Sequence, residues 1–562
     1  MARIDYYIFI TYIIIIGLYG YYIYRRKKTA GATSAEFFLA EGQLTWWAIG
    51  ASLIASNISA EQFIGMSGNG FRLGIAISAY EWIAAASLII VAVFFMPIYL
   101  KNRIFTMPQF LKTRYNETVA LVMAVFWLFL YIFVNLTSIL YLGTIAINSL
   151  TGGGYFHIIM IVLALFALFI TIGGMKVIGY TDVIQVVVLI AGGLMTTYIA
   201  LTMVSEKFGL GKDVLAGFNA IMQKAPEHFK MIFDKPTTSS TTQEINHYVS
   251  LPGLAMMVGG MWIANLNYWG CNQYITQRAL GADLKTARNG ILFAGFLKLL
   301  MPVMVVLPGI AAYVLHQNGA LQTQMLTNGE FREDNAYSAV LGFLPTGLKG
   351  LSLAALTAAI VASLAGKANS ISTIFTLDIY KKYIKKDAAD KKMVWIGRGV
   401  VIAALLLALL VNWNDALGIG GKGGFEFIQR YTGYISPAIF AVFILGFFWK
   451  RTTSKAAIAG ILLGFGLMVL FDNYLPAIAG NDTFLYTAFT DDKGHYAIPF
   501  LISMGWVFFF TALIMIVISL AMPEKEAHGM EIDKSMFKVS NSQLVWILLT
   551  LGILVALYIK FW

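Results

Sequence analysis

The chain has 562 residues, of which 59% are hydrophobic and only 12% charged, with a formal net charge of +11. Soluble domains carry about 25% charged residues, so this composition excludes disorder, a solvated coiled coil and an ordinary water-soluble enzyme. A membrane-crossing helix takes about 20 apolar residues, and the chain is long enough to be a polytopic membrane protein.

Apolar runs place about fourteen spans in chain order, near residues 6–24, 46–68, 75–100, 119–147, 156–174, 180–203, 252–273, 289–315, 346–375, 394–412, 432–449, 456–474, 497–521 and 542–559. The first run is followed by Arg25, Arg26, Lys27 and Lys28. A signal peptide carries its charge ahead of a shorter apolar core, so 6–24 is expected to be a retained helix. Lys and Arg then alternate in density from loop to loop. One side holds Lys101, Arg103, Lys112, Arg114, Lys176, Arg278, Lys285, Arg288, the run from Lys381 to Lys392, Lys450, Arg451, Lys455, Lys525, Lys534 and Lys538, besides residues 25–28. The other holds Arg3, Arg72, Arg332, Lys349, Lys422, Arg430, Lys493 and Lys560. The richer side is cytoplasmic by the positive-inside rule, and an even number of spans puts both termini outside the cytoplasm. The basic excess is thus a topology signal and not a nucleic-acid surface.

Segments 204–251 and 316–344 are polar enough to be extracellular loops with short helices. There is no tandem repeat at a period of roughly 20–50 residues and no extramembrane catalytic domain, so 1–562 reads as one membrane domain. The single cysteine, Cys271, excludes an intramolecular disulfide framework. No two of the histidines His157, His228, His247, His316, His495 and His528 share a helical face, which argues against a zinc or haem site. No GxxxxGK[ST] motif suggests a nucleotide-driven pump.

Charges at membrane depth cost about 2.5–3.5 kcal/mol each on insertion scales, and those inside the spans are few: Glu61, Glu81, Asp182, Lys298 and Lys367. The second span carries Ser56-Asn57-Ile58-Ser59-Ala60-Glu61-Gln62. Ser and Asn compete with the helical backbone for hydrogen bonds, so this helix is expected to break and leave carbonyls free for a cation. The seventh span is similar, with Asn265, Asn267, Tyr268, Gly270 and Asn272 in "GGMWIANLNYWGCNQY". Two breaks five spans apart point to an inverted-repeat transporter with its site at the midplane. Tyr80 and Trp82 beside Glu81, and Tyr268 with Trp269, suit a sugar and equally a choline or proline pocket; residue type leaves the solute open.

Segments such as "GASLIASNISAEQFIGMSGNGFRLGIAISAYEW", "NYWGCNQYITQRAL", "SLAGKANSISTIFTLDIYKKYI" and "FIQRYTGYISPAIFAVFILGFFWKRTTSKAA" resemble the sodium/solute symporter family, closest to its bacterial sodium/glucose (galactose) cotransporter branch. The similarity runs over nearly the whole length, with a departure at "GGMKVIGYTD". The resemblance implies an all-α, LeuT-like inverted-repeat fold of about fourteen transmembrane helices. It would comprise an extra N-terminal helix (6–24), five-helix repeats at 46–203 and 252–449, and three C-terminal helices within 456–559.

By the same resemblance, Gln62, Glu81, Asn265, Lys298 and Gln429 stand at the sugar-binding positions, and Tyr268 at the inner gate. Ala84 replaces a possible Ser, a lost hydroxyl contact of about 0.5–1.5 kcal/mol. The sodium positions are Ala55, Ile58, Ala359, Ala362 and Ser363, where Ala362 replaces a Ser. Asp182 matches an acidic residue on the sodium exit route, with a role as hydrogen-bond partner of the inner gate as the alternative. Lys367, where close relatives are apolar, is expected to snorkel to the cytoplasmic interface, or else to pair with Asp182. The implied function is Na⁺–monosaccharide symport in the cell membrane, with sodium, sugar and bilayer as partners. The rivals are Na⁺-coupled symport of myo-inositol, sialic acid, proline or pantothenate, and a sensor or channel on the same fold. An enzyme is not expected.

Overall fold

The computed structural model describes residues 2–25, 44–151, 153–327, 329–419, 424–490, 494–524 and 529–562. Of the basic residues used above for orientation, Arg26, Lys27, Lys28, Lys422, Lys493 and Lys525 lie outside the described residues, as does His528. Among the described residues, ten helices are long and apolar enough to cross a membrane, or twelve when each of two bent pairs counts as one span. The shortfall against about fourteen has two sources. A count by length and composition takes Glu61–Lys101 as one 41-residue stretch although Gly74, at φ 67°, turns the chain within it, and Trp46–Asn57 contributes only 12 residues before its helix breaks. Phe156–Ile172, an apolar helix of 17 residues, stands at the short end of the range that crosses a membrane and is left out of that count.

Helix Leu348–Thr373 is buried along nearly its whole length and forms the centre of the bundle. Trp46–Asn57, Thr137–Leu150, Phe156–Ile172 and Met175–Lys207 pack around it. Its N-terminus is closed by Asp5 of the first helix, Arg3–Arg25, whose Oδ1 accepts from the amides of Gly347 (2.7 Å) and Gly350 (3.1 Å). A carboxylate suits the orphan amides of a helix start, and it ties the first helix to the core. Asn541–Phe561 is the opposite case, with few buried residues and a largely exposed apolar surface.

Polar segments 204–251 and 316–344 hold the short helices Val214–Lys224, Thr242–Ser250 and Ala336–Leu341, and a two-residue antiparallel hairpin pairs Leu326 with Phe331. A second hairpin pairs Phe489 with Ala497. The bent pairs are Thr242–Val258 with Gly260–Gly270 (78°) and Phe425–Gly433 with Ser436–Phe448 (50°). Gly74 lies inside the Glu61–Lys101 run at φ 67°, a conformation that L side chains rarely adopt, and an added Cβ there would stand 2.3 Å from the His228 carbonyl oxygen.

Three arginines counted above as cytoplasmic loop charges are buried against carbonyls. Arg114 donates to Gly446 O (2.7 Å), Trp449 O (2.9 Å) and Thr452 O (3.2 Å). Arg288 donates to Ala92 O (3.1 Å) and Lys538 O (2.8 Å). Arg278, 1% exposed, is described with the site below. Arg114 thereby satisfies carbonyls at the end of Ser436–Phe448 that would otherwise be orphaned.

Candidate functional site

Helix Trp46–Asn57 ends because Ser59 and Gln62 offer its backbone better partners than the helix does. The Ser59 amide, which an unbroken helix would send to the Ala55 carbonyl, donates to Gln62 Oε1 (2.9 Å). The Glu61 amide goes to Ser59 Oγ (3.1 Å) in place of the Asn57 carbonyl, and the Gln62 amide to Ser59 O (3.2 Å) in place of the Ile58 carbonyl. Ile58 is extended (φ −75°, ψ 110°). The carbonyls of Ala55, Asn57 and Ile58 are thereby released from the helical ladder. The neighbouring Ser56 carbonyl is held from across the bundle, by Ser363 Oγ (2.9 Å) and the Tyr274 hydroxyl (3.3 Å). Ala55, Ile58, Ala359, Ala362 and Ser363 are all fully buried. Hard oxygens of carbonyl and hydroxyl type suit an alkali cation, and no cluster of three or more His, Cys, Asp or Glu able to hold a metal occurs among the described residues.

The second break follows Gly270, where Cys271 and Asn272 interrupt the helix before Gln273–Leu280 begins. Between the two breaks lies a narrow cavity of about 60 Å³. Gln62, Glu81, Asn265, Lys298, Gln429, Tyr268 and Ala84 all border it. Lys298, 1% exposed, donates to both Glu81 Oε2 and Asn57 Oδ1 and lies 5.1 Å from the Trp269 ring centre. Asn57 Nδ2 donates to the Tyr268 hydroxyl (2.9 Å), which is bonded in turn to the Tyr274 hydroxyl. Asn265 anchors itself through Nδ2 to the Met261 carbonyl (3.0 Å), leaving Oδ1 as acceptor.

Lys367 meets neither expectation. It is 2% exposed, borders this same cavity, and pairs with Glu61 (3.5 Å) over the Tyr274 ring (4.8 Å). Asp182 faces another cation, Arg278 (3.9 Å), and accepts from Ser52 Oγ (2.5 Å). Arg278 Nε also donates to Ser52 Oγ (2.9 Å), and its other arm to the Tyr274 carbonyl. The guanidinium fits because position 366 is glycine: a Cβ there would stand 2.4 Å from Arg278 Nη2. Asp182 Oδ1 and Ser56 Oγ are buried with no hydrogen-bond partner among the described residues. The residues that sequence reasoning did not assign are Asn57, Glu61, Lys367, Tyr274 and Arg278. Asn57, Glu61 and Lys367 were visible as polar groups at membrane depth, whereas Arg278 was hidden by its position next to a basic loop.

Beyond the cavity, Arg72 ties three elements together. It donates to Glu426 Oε2 (2.9 Å), Asn69 Oδ1 (3.0 Å) and Ser250 Oγ (3.3 Å), and its Nε lies 3.4 Å from Glu333. Burial, with the nearby Asp334 and Glu426 carboxylates, raises the Glu333 carboxyl to about 7, Arg72 pulling the other way. Beneath this cluster Phe425 meets Tyr80 edge-on at 5.1 Å.

A family model described as "Sodium:solute symporter family" matches residues 37–464. The chain belongs to that family. This symporter is 43% identical over 573 aligned positions to the sodium/glucose cotransporter of Vibrio parahaemolyticus, covering 100% of this chain and 99% of that one. It is 33% identical over 492 positions to the sodium/myo-inositol cotransporter 2 of Mus musculus, covering 84% of this chain and 70% of that one. A solved structure of a substrate-bound, outward-open Na⁺-coupled sialic acid symporter superposes with a TM-score of 0.74 at 21% identity, over 93% of this chain and 100% of that one. The symporter has the all-α, LeuT-like fold, is a multi-pass membrane protein, and belongs among transporters and not enzymes; sodium is its family's coupling ion.

Proposed function

We propose that the protein couples the inward movement of Na⁺ to the uptake of a neutral monosaccharide by alternating access. One observation carries this reading: a continuous hydrogen-bonded path joins the Ser56 carbonyl, which stands among the released ones at the break, to the cavity. Ser363 and Tyr274 hold the Ser56 carbonyl, Tyr268 meets Tyr274, Asn57 donates to Tyr268, and Lys298 links Asn57 to Glu81. Sodium at the Ala55 and Ile58 carbonyls, with Ala359, Ala362 and Ser363 as the facing wall, stiffens the break. That fixes Asn57 and Tyr268, and through them the solute groups.

On this reading Glu81 accepts hydroxyl protons while Lys298 donates, and Gln62, Asn265 and Gln429 do both. Tyr268 covers the solute from the cytoplasmic side, and Asp182 is a stop for the departing cation. The inverted five-helix repeats 46–203 and 252–449, with the flanking helices 6–24 and those within 456–559, supply the rocking elements. The protein resides in the cell membrane with both termini extracytoplasmic. One Na⁺ moving down about 100 mV gains ~2.3 kcal/mol, and a tenfold gradient adds ~1.4 kcal/mol. Together they sustain roughly 500-fold accumulation.

The test is uptake of labelled glucose, galactose and myo-inositol into proteoliposomes with an imposed Na⁺ gradient. Concentrative uptake of a hexose is expected. Equal uptake with K⁺ or choline replacing Na⁺ overturns symport, and uptake that stops at equilibrium favours a channel.

A further inference from the structure

The wall of the cavity carries a second ion pair that the assigned sugar positions do not use. Glu81 with Lys298 and Glu61 with Lys367 both border the cavity that Tyr268 lines. The two pairs are built alike. Each ammonium sits over an aromatic ring that packs edge-on against Tyr268: Lys298 over Trp269 and Lys367 over Tyr274. Each lysine engages one oxygen of its carboxylate. They differ in how fully the ammonium is satisfied. Lys298 has two side-chain acceptors in close contact, whereas Lys367 has one, at 3.5 Å. A buried ammonium has three protons to place, and an unmet donor at such depth is costly.

We infer that Glu61 and Lys367 form a second solute-binding pair in the same cavity, which takes hydroxyls of a polyol other than those held by Glu81 and Lys298. The inference rests on the monosaccharide reading above. The chemistry favours a neutral polyol: two carboxylates and two ammonium groups already balance, so an added anion would leave an unmatched charge in a buried site. A carboxylate oxygen accepts a hydroxyl proton while the adjacent ammonium donates to a hydroxyl oxygen, which is the pattern a vicinal diol presents at either end of a pyranose. With two such pairs in one cavity, more than one set of ring hydroxyls is read by charged groups, and such bonds discriminate more strongly than neutral ones.

The test uses proteoliposomes, labelled glucose and its monodeoxy analogues as competitors, with the wild type, Lys367→Met, Glu61→Gln and the charge-balanced double variant Glu61→Gln/Lys367→Met. The double variant removes both charges together, so it remains informative if a single variant fails to insert. We expect the half-saturating glucose concentration to rise about tenfold or more, with the half-saturating Na⁺ concentration unchanged. One deoxy analogue that competes poorly against the wild type should compete as well as glucose against the variants, while the penalties at the other hydroxyls persist. Unchanged glucose half-saturation overturns the inference, as does a full set of deoxy penalties in the double variant or an effect confined to Na⁺. A wild type that takes up no glucose under a Na⁺ gradient overturns the monosaccharide reading itself, before any variant is compared.

Discussion

Ser363 Oγ donates to the Ser56 carbonyl across 2.9 Å, joining the central helix to the last turn of the broken one. The same hydroxyl is the one side-chain oxygen left among the proposed sodium positions, since Ala362 has none. Ser363→Ala is therefore expected to raise the half-saturating Na⁺ concentration for uptake by about 2–10-fold, the weight of one hydrogen bond. Ala362→Ser is expected to lower it. Na⁺ titrations of initial uptake rates check both; a Ser363→Ala variant with wild-type Na⁺ dependence removes this helix from the site.

Lys298 and Glu81 are both almost fully buried. Lys298→Met strands the Glu81 charge, a loss of about 3–5 kcal/mol for a broken buried pair, and the melting temperature in detergent should fall accordingly. Glu81→Gln/Lys298→Met should recover most of that stability and still fail to take up sugar. Gln62→Ala should also abolish uptake in a folded protein. Normal transport in these variants would refute the proposed solute positions.

Tyr268→Phe keeps the ring over the cavity and removes the hydroxyl that Asn57 and Tyr274 share. We expect sugar uptake to persist at reduced rate while its half-saturation loses its dependence on Na⁺, because binding at one site then no longer orders the other. Measuring sugar half-saturation at low and saturating Na⁺ decides this.

In the cluster around Arg72, Glu333 is raised to about 7, above the usual carboxylate value near 4.3. The folded protein thus holds a proton that the unfolded chain has released. Its contribution to stability is full below about pH 4.3 and is lost as pH rises through about 7. Thermal unfolding between pH 5 and 8 should show the wild type losing more stability with rising pH than Glu333→Gln. Parallel curves would mean that Glu333 titrates in its ordinary range.

Gly74→Ala should destabilise through both backbone strain at φ 67° and collision with His228. The strain alone costs about 1–3 kcal/mol. Gly153→Ala, at φ 83° with open space around it, isolates that part, and its smaller melting shift gives the share due to His228.

What could be read beforehand follows a physical divide. Composition and charge alternation register bulk solvation, so the membrane class and the polar loops at 204–251 and 316–344 were legible. The break at Ser56–Gln62 was legible too, because its cause is local: Ser59 and Gln62 compete with the helix within a few residues. The span count stands at ten to twelve among the described residues against about fourteen, because counting by length and composition takes Glu61–Lys101 as one stretch across the turn at Gly74. The partners of Lys367, Asp182 and Arg278 were out of reach. Each lies on a different element, 306 positions apart for Lys367 and Glu61, and only the packing of the helices selects among the available opposite charges.

The path from Asn57 to Ser56 has a fixed sense. The amide of Asn57 can only give to Tyr268, and the Ser56 carbonyl can only receive from Tyr274, so Tyr268 must give to Tyr274. Both hydroxyls have one orientation available, and no atom along the line is free to take up a proton and hand it on. Such a line conducts orientation without conducting charge. On the proposed reading, a sodium ion that reorders the carbonyls beside Ser56 is felt at the other end as a turn of the Asn57 amide.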